Sequence, residues 1–302
     1  MAEIWHGVYP AITSKFTEED EIDLVAFEKN LQAQVLAGID GIIIGGSLGE
    51  ASTLSETEKF SLMDFTVNHS GTKIKVILNI AEQSTKVAAK QAERAEKSGA
   101  AGLMVLPPMR YKADDRETVT FFKEIARATS LPVMIYNNPI DYKINVTPDM
   151  FEELSGQANI TAIKDSSRDT TNITRMINRF GSRYKILCGV DTLAFESLLL
   201  GADGWVAGLV CAFPKETVAI YRLIRANRIQ EARKIFRWFL PLLELDIHPK
   251  LVQYIKLAES VTGLGTERVR PPRLPLEGKE RERILSIIEK GIQSRPELPL
   301  IE

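Results

Sequence analysis

A chain of 302 residues exceeds a minimal domain and suits an elaborated barrel, which takes roughly 250 residues plus an appendage. With 38 basic and 40 acidic side chains the formal charge is -2, so no long-range field favours nucleic acid or an anionic membrane surface, and neither is an expected partner. Cys188 and Cys211 are too few for a disulfide framework and too isolated for a metal site.

Two buried thiols in a reducing compartment, with no metal and no cofactor, are the expectation. The stretch Met1-Ala2-Glu3-Ile4-Trp5-His6 lacks the basic region and apolar run of a secretory signal, and no apolar stretch nears the roughly 18 residues of a membrane span. A cytoplasmic location is therefore expected.

In chain order, short apolar runs alternate with amphipathic stretches from Gly7 to about Val210, the pattern of parallel βα units. Eight strands are predicted, at 8–13, 41–45, 75–79, 102–106, 132–137, 160–164, 184–188 and 205–207, each rich in Val, Ile, Leu or Met as a doubly covered strand must be. Between the first two, residues 22–36 put Leu24, Phe27, Leu31 and Val35 on one helical stripe and Glu28, Lys29 and Gln32 on the other side.

The segments Gly38-Ile39-Asp40-Gly41, Gly99-Ala100-Ala101-Gly102 and Gly201-Ala202-Asp203-Gly204 repeat one unit before strands two, four and eight. The first glycine suits the left-handed position that ends a helix, and the second lets a strand start close to neighbouring backbone. This repeat favours a closed (β/α)₈ barrel, an α/β fold of the TIM type, over the alternative of a doubly wound open sheet. After residue 213 the alternation stops, and residues 215–226, 229–245, 249–262 and 278–294 read as helices, with the proline-rich 268–275 as connector. The expected organisation is a catalytic barrel over 1–213 and a helical extension over 214–302, packed on the barrel or at a subunit interface. Phe236, Trp238, Phe239 and Leu240 form an apolar strip in that extension that argues for an oligomer.

In such a barrel the chemistry gathers at the C-terminal strand ends. The sixth strand places Lys164 on the face of Ile160 and Ala162, where partial burial would lower the amine's pKa and supply a neutral nucleophile for imine formation. The structural alternative is a strand ending one residue earlier, with Lys164 reaching water. The fifth strand brings Tyr136 alongside as a candidate proton carrier, although an aromatic there is more often packing. The turn Gly45-Gly46-Ser47-Leu48-Gly49-Glu50 offers backbone N–H groups and the Ser47 hydroxyl to a carboxylate but matches no nucleotide loop. Glu50 and Glu56 flank the next helix start, where Ser55 is a plausible cap, so both acids read as structural.

Taken together, Gly46-Ser47-Leu48-Gly49-Glu50, Tyr136-Asn137-Asn138-Pro139, Ile163-Lys164-Asp165-Ser166-Ser167 and Gly189-Val190-Asp191 resemble the dihydrodipicolinate synthase and N-acetylneuraminate lyase family over nearly the whole chain. The resemblance implies a Schiff base at Lys164, proton shuttling by Tyr136, a substrate carboxylate on Ser47 and the Leu48 amide, and a homotetramer. The catalytic set so implied is Lys164, Tyr136 and Ser47. The binding set is Gly46, Ser47, Leu48, Arg110, Tyr111, Asn138, Gly189 and Val206, with it left open whether Arg110 or Tyr111 enters the pocket, and the ligand is a small 2-imino or 2-keto acid. Two departures bear on the substrate. Leu48 stands where the synthases carry a threonine of their hydroxyl relay, and Ile140-Asp141-Tyr142 stands where they place an arginine for a second carboxylate. Several runs, including residues 106–112 and 248–254, resemble the branch that deaminates 1-pyrroline-4-hydroxy-2-carboxylate. A pyruvate-releasing aldolase of a 4-hydroxy-2-keto acid and a catalytically silent carboxylate-binding protein are the other readings.

Overall fold

Eight strands form one parallel sheet whose neighbours run β1-β8-β7-β6-β5-β4-β3-β2. They are β1 (Gly7–Pro10), β2 (Gly41–Ile44), β3 (Lys75–Ile80), β4 (Gly102–Val105), β5 (Val133–Asn137), β6 (Ile160–Asp165), β7 (Lys185–Cys188) and β8 (Gly204–Ala207). This computed structural model describes residues 4–71 and 74–300. The sheet closes on itself where Ala11 bridges Ile43: the Ala11 N–H donates to the Ala207 carbonyl at 2.9 Å, and the next N–H, of Ile12, donates to Ile43 at 3.2 Å. That change of partner ends the first strand at Pro10 rather than at the expected residue 13. The doubly wound alternative is thereby excluded.

The glycine repeat behaves as its residues suggest. Gly38, Gly99 and Gly201 have φ of 82°, 83° and 105°, and a Cβ on Gly204 would lie 2.7 Å from the Gly7 carbonyl oxygen. Between β5 and β6 the register shifts, so that Met134 faces Ala162 rather than Thr161. The extra residue, Thr161, accepts a hydrogen bond from the Trp5 indole at 2.9 Å. Beyond it Tyr136 pairs with Lys164. The sixth strand runs one residue past Lys164, not one short of it.

The outer helices are α1 (Leu24–Ala37), α2 (Glu56–His69), α3 (Thr85–Lys97), α4 (Asp115–Arg127), the single-turn α5 (Pro139–Tyr142), α6 (Pro148–Leu154), α7 (Thr171–Phe180), α8 (Ala194–Leu199) and α9 (Pro214–Arg225). Ser55 caps α2 in a reciprocal capping box with Glu58, and Glu56 pairs with Arg94 at 3.0 Å, a structural use of both positions. Helix α9 lies against β1, β8, α1 and α8, so the ring of outer helices runs on to residue 225. The remainder is α10 (Ile229–Leu243), a 3₁₀ turn at Glu244–Ile247, α11 (Leu251–Val261) and α12 (Gly278–Gln293).

This tail is bolted to the barrel through buried charge. Lys256 of α11 pairs with Glu50, both side chains fully buried, and the Arg270 N–H donates to the same carboxylate at 3.1 Å. Lys15 pairs with Glu259 at 3.2 Å, and Thr13 donates to Glu259 at 2.6 Å. The apolar strip expected to face another subunit is spent inside the chain. Phe236 packs on Phe195, Phe239 and Trp238 pack on Phe213, and the Trp238 indole donates to the Gly291 carbonyl of α12 at 3.0 Å. Of the strip only Leu240 is more than a third exposed. It therefore gives no argument for an oligomer. No helix among the described residues is long and apolar enough to cross a membrane.

Candidate active site

Lys164 is 7% exposed at the end of β6. Its Nζ lies 3.9 Å from the centroid of the Tyr136 ring and, among the described residues, makes no hydrogen bond or ion pair. Burial pushes the amine below the ordinary lysine value, against the opposing pull of Tyr142, Asp246 and Asp191. An amine so placed is a nucleophile that sheds its proton readily. Gly189 makes room for it: a Cβ there would lie 2.6 Å from Lys164 Cε and 2.2 Å from Ser166 Oγ. The expected requirement for Gly189 is thus a matter of space beside the lysine.

Tyr136 is 6% exposed, and burial raises its phenol to about 12. Its hydroxyl accepts from Asn138 Nδ2 at 3.2 Å, and that same amide donates to Asp141 at 2.7 Å. Asn138 also caps α5 by accepting the Asp141 N–H at 3.2 Å. One side chain thereby fixes the phenol, a carboxylate and the turn that carries Tyr142. Opposite, Gly45 at φ 69° and Glu50 at φ 56° bend the glycine-rich turn, and the Ala51 N–H closes it on the Gly46 carbonyl at 3.2 Å. The Ser47 and Leu48 N–H groups find no acceptor among the described residues, which leaves them free for an anion.

These elements enclose one cavity, lined among others by Gly46, Ser47, Leu48, Tyr136, Asn138, Asp141, Lys164, Gly189 and Val206. Arg110 and Tyr111, between which the sequence left the choice open, both lie outside this cavity. The side-chain carbonyl of Gln83 accepts the N–H groups of Met109 and Arg110 at 2.8 and 2.7 Å, which turns this loop toward a neighbouring cavity. Arg110 lines that second cavity, and Tyr111 is 56% exposed and lines neither.

Three residues of the cavity wall escaped the sequence reading as site residues. Tyr142 meets Tyr136 edge to face, with centroids 5.7 Å apart, and its hydroxyl is hydrogen-bonded to Ser47. Asp246 arrives from the 3₁₀ turn of the tail and occupies the place that a side chain on Gly208 would fill, since a Cβ there would lie 2.1 Å from its Oδ1. Burial holds its carboxyl well above the usual range, with Asp191 adding to the effect. Arg168, four residues after the lysine, adopts φ 62°, a left-handed backbone that costs an arginine energy, and lines the same cavity. Asp191 itself is structural, accepting from the Trp205 indole at 2.9 Å and the Leu209 N–H at 2.8 Å to tie the end of β7 to β8.

The lowered amine predicts a pH profile. A lysine whose value is depressed becomes neutral at lower pH, so the rate of imine formation is expected to rise with pH and level off below 10.5. The Asp246 carboxylate favours the ammonium, so Asp246→Asn is expected to move this limb to still lower pH. Stopped-flow measurement of imine formation checks both the position of the limb and its direction of movement.

The family model described as the dihydrodipicolinate synthetase family matches residues 5–291. The chain is 26% identical over 277 residues to 4-hydroxy-tetrahydrodipicolinate synthase 1 of Halalkalibacterium halodurans, covering 92% of this chain and 94% of that one. It is 28% identical over 276 residues to the 4-hydroxy-tetrahydrodipicolinate synthase of Exiguobacterium sibiricum, covering 90% and 92%. Among solved structures, the 4-hydroxy-tetrahydrodipicolinate synthase of Methylacidiphilum fumariolicum superposes with a TM-score of 0.89 at 29% identity, covering 95% of this chain and 97% of that one.

Proposed function

The chain belongs to the dihydrodipicolinate synthetase family, whose members are lyases working through a Schiff base, and from that premise we propose that Lys164 forms the imine with a small 2-keto or 2-imino acid. The observation that carries this is the buried, unpaired amine facing two free N–H groups across one cavity. The substrate carboxylate sits on Ser47 and Leu48, and its carbonyl or imine carbon meets Lys164. Tyr136 exchanges protons in the steps that follow.

In its most specific form the reaction is deamination of 1-pyrroline-4-hydroxy-2-carboxylate to 2,5-dioxopentanoate and ammonia. Lys164 adds to the cyclic imine carbon, and the ring C–N bond breaks to leave a linked imine and a free terminal amine. The protonated imine acidifies C3, a proton leaves it, and hydroxide departs from C4 as water with a proton from Tyr136. Tautomerisation gives a terminal imine. Two waters then hydrolyse it and the Schiff base, releasing ammonia, product and Lys164. Two features support a monocarboxylate. Leu48 brings no hydroxyl to the wall, and Asp141, held there by Asn138, would repel a second carboxylate near it.

Arg168 favours a second reading, because it is the cation other than Lys164 that lines the cavity and could hold a distal carboxylate. That reading is retro-aldol release of pyruvate from a 4-hydroxy-2-keto acid. Turnover on three substrates separates the two. Ammonia from the pyrroline, with no useful condensation of pyruvate with aspartate semialdehyde, is the expected result. Pyruvate from 4-hydroxy-2-oxoglutarate without ammonia from the pyrroline establishes the aldolase, and robust dihydrodipicolinate formation overturns the exclusion of the synthase reaction. A homotetramer is proposed on the resemblance alone; light scattering at micromolar concentration that returns the mass of one chain would overturn it.

A further inference from the structure

Asp246 reaches the Lys164 cavity from outside the barrel, on the 3₁₀ turn Glu244–Ile247 of the tail. Room is kept for it at the end of β8. Gly208 adopts φ -99°, a backbone open to any residue, yet a Cβ there would lie 2.1 Å from Asp246 Oδ1 and 2.8 Å from its Cγ. Glycine is needed at 208 to admit the carboxyl, not to bend the chain. The charged groups that face Asp246 are Asp191, Lys164 and Arg168; the Asp191 N–H supports it, and no side chain among the described residues donates a hydrogen bond to it. The two neighbouring carboxyls are committed. Asp141 takes the Asn138 amide at 2.7 Å, and Asp191 accepts from the Trp205 indole and from the N–H groups of Gly208 and Leu209.

With a substrate carboxylate on the Ser47 and Leu48 N–H groups and its C2 at Lys164, the rest of the molecule extends along the remaining wall. Gly189, Val190, Val206, Gly208 and Asp246 make that wall. Opening a cyclic imine on Lys164 creates two cations where there was one: the iminium at Lys164 and the freed terminal ammonium. The substrate carboxylate answers the first. The second calls for an anion that was absent before, because an unmatched charge in a buried site is costly. A carboxyl that is neutral at rest and gives up its proton when the amine appears meets this need. Burial, with Asp191 beside it, holds Asp246 in that neutral form.

We propose that Asp246, seated over Gly208, is the subsite for the ring nitrogen of a cyclic imino acid, protonating that nitrogen as the ring opens on Lys164 and holding it afterwards as an ammonium. The Lys164 nitrogen bonds to C2 of the protonated imine, and the C=N electron pair moves to the ring nitrogen. One proton then passes from the Lys164 nitrogen to the ring nitrogen through the Asp246 carboxyl. The bond between C2 and the ring nitrogen breaks with its pair on the departing nitrogen, while the Lys164 lone pair completes the new iminium. The freed amine takes the Asp246 proton and stays as an ammonium against the carboxylate. This rests on the imine at Lys164 and on the cyclic substrate proposed above.

The test uses the full-length protein and two probes, pyruvate and 1-pyrroline-2-carboxylate, which lacks the hydroxyl and so stops at the ring-opened imine. Borohydride quenching at timed intervals and mass spectrometry give the rate at which each Lys164 adduct appears. Asp246→Asn is expected to slow the ring-opened adduct by on the order of a hundredfold. The same variant is expected to form the pyruvate adduct no more slowly than the unaltered protein, since asparagine removes the charge that favours the Lys164 ammonium. An unchanged rate with the pyrroline overturns the proposal. Equal slowing with both probes assigns Asp246 to the shape of the cavity and overturns it as well. In the unaltered protein, a pyruvate adduct without a pyrroline adduct overturns the cyclic-imine reading and this subsite with it. Absence of both adducts overturns the Schiff base itself, which separates those failures from a failure of Asp246 alone.

Discussion

Borohydride reduction in the presence of a bound 2-keto acid is expected to leave one stable adduct, on Lys164, and Lys164→Ala is expected to lower turnover by at least about a thousandfold. The expectation follows from placement. Other lysines are engaged or exposed: Lys15 and Lys256 are locked in buried ion pairs, Lys59 is held by Glu82 and Gln91, and Lys143 donates to the Ile140 carbonyl at 2.7 Å in an exposed turn. Among the described residues, Lys164 alone combines burial at a strand end with a cavity wall and a depressed amine. Lys164→Arg should be as inactive as the alanine variant, since a guanidinium stays protonated and forms no imine here. Peptide mapping decides the matter; an adduct on Lys112 or Lys143, or turnover retained in Lys164→Ala, would sink the assignment.

The largest expected loss of stability lies away from the chemistry, at Lys256. Removing this side chain as Lys256→Met leaves the Glu50 carboxylate buried with only the Arg270 N–H and the more distant Arg273 at 3.6 Å. Breaking a buried pair from one side costs about 3–5 kcal/mol. Burial pulls the Lys256 amine down to about 8 despite Glu50, which shows that desolvation consumes much of the attraction. The double variant Glu50→Gln, Lys256→Met is therefore expected to recover most of the loss, because neither charge is then stranded. Thermal or urea unfolding of the single and double variants checks this, and equal losses in both would mean that the pair itself, rather than an orphaned carboxylate, carries the stability.

Much of this fold could be read along the chain because its periods are local. Apolar runs such as Gly41–Ile44 and Gly102–Val105 are buried on both sides, and a glycine precedes each at the spacing that a helix end and a strand start require. Lys164 and Tyr136 were legible for the same reason, since a two-residue period decides which way a strand residue faces. The rest of the site obeys no period. Tyr142 owes its place to a single helical turn capped by Asn138, and Asp246 to a 3₁₀ turn 82 residues beyond the lysine in the numbering of the chain. The placement of Arg110 and Tyr111 stayed open in the sequence because the loop after β4 is aimed by Gln83, a residue from the loop after a different strand, and no pattern within residues 109–111 encodes that bond. Arg168 had a nearer clue, an arginine four residues past the strand lysine. Recognising it would have needed the positive φ that the sequence does not display.

The seating of Asp246 against Gly208 has a bearing on how the protein comes into being at the ribosome. A nascent chain completed as far as α9 already possesses every strand and the full ring of outer helices, while Phe195 and Phe213 still await Phe236, Trp238 and Phe239 of α10. It lacks Asp246, Leu251 and Lys256, so its cavity is open on one side and the buried Glu50 carboxylate is without its ion-pair partner. A chain that stops within α10 thus holds its lysine but not the residues that finish the chamber around it.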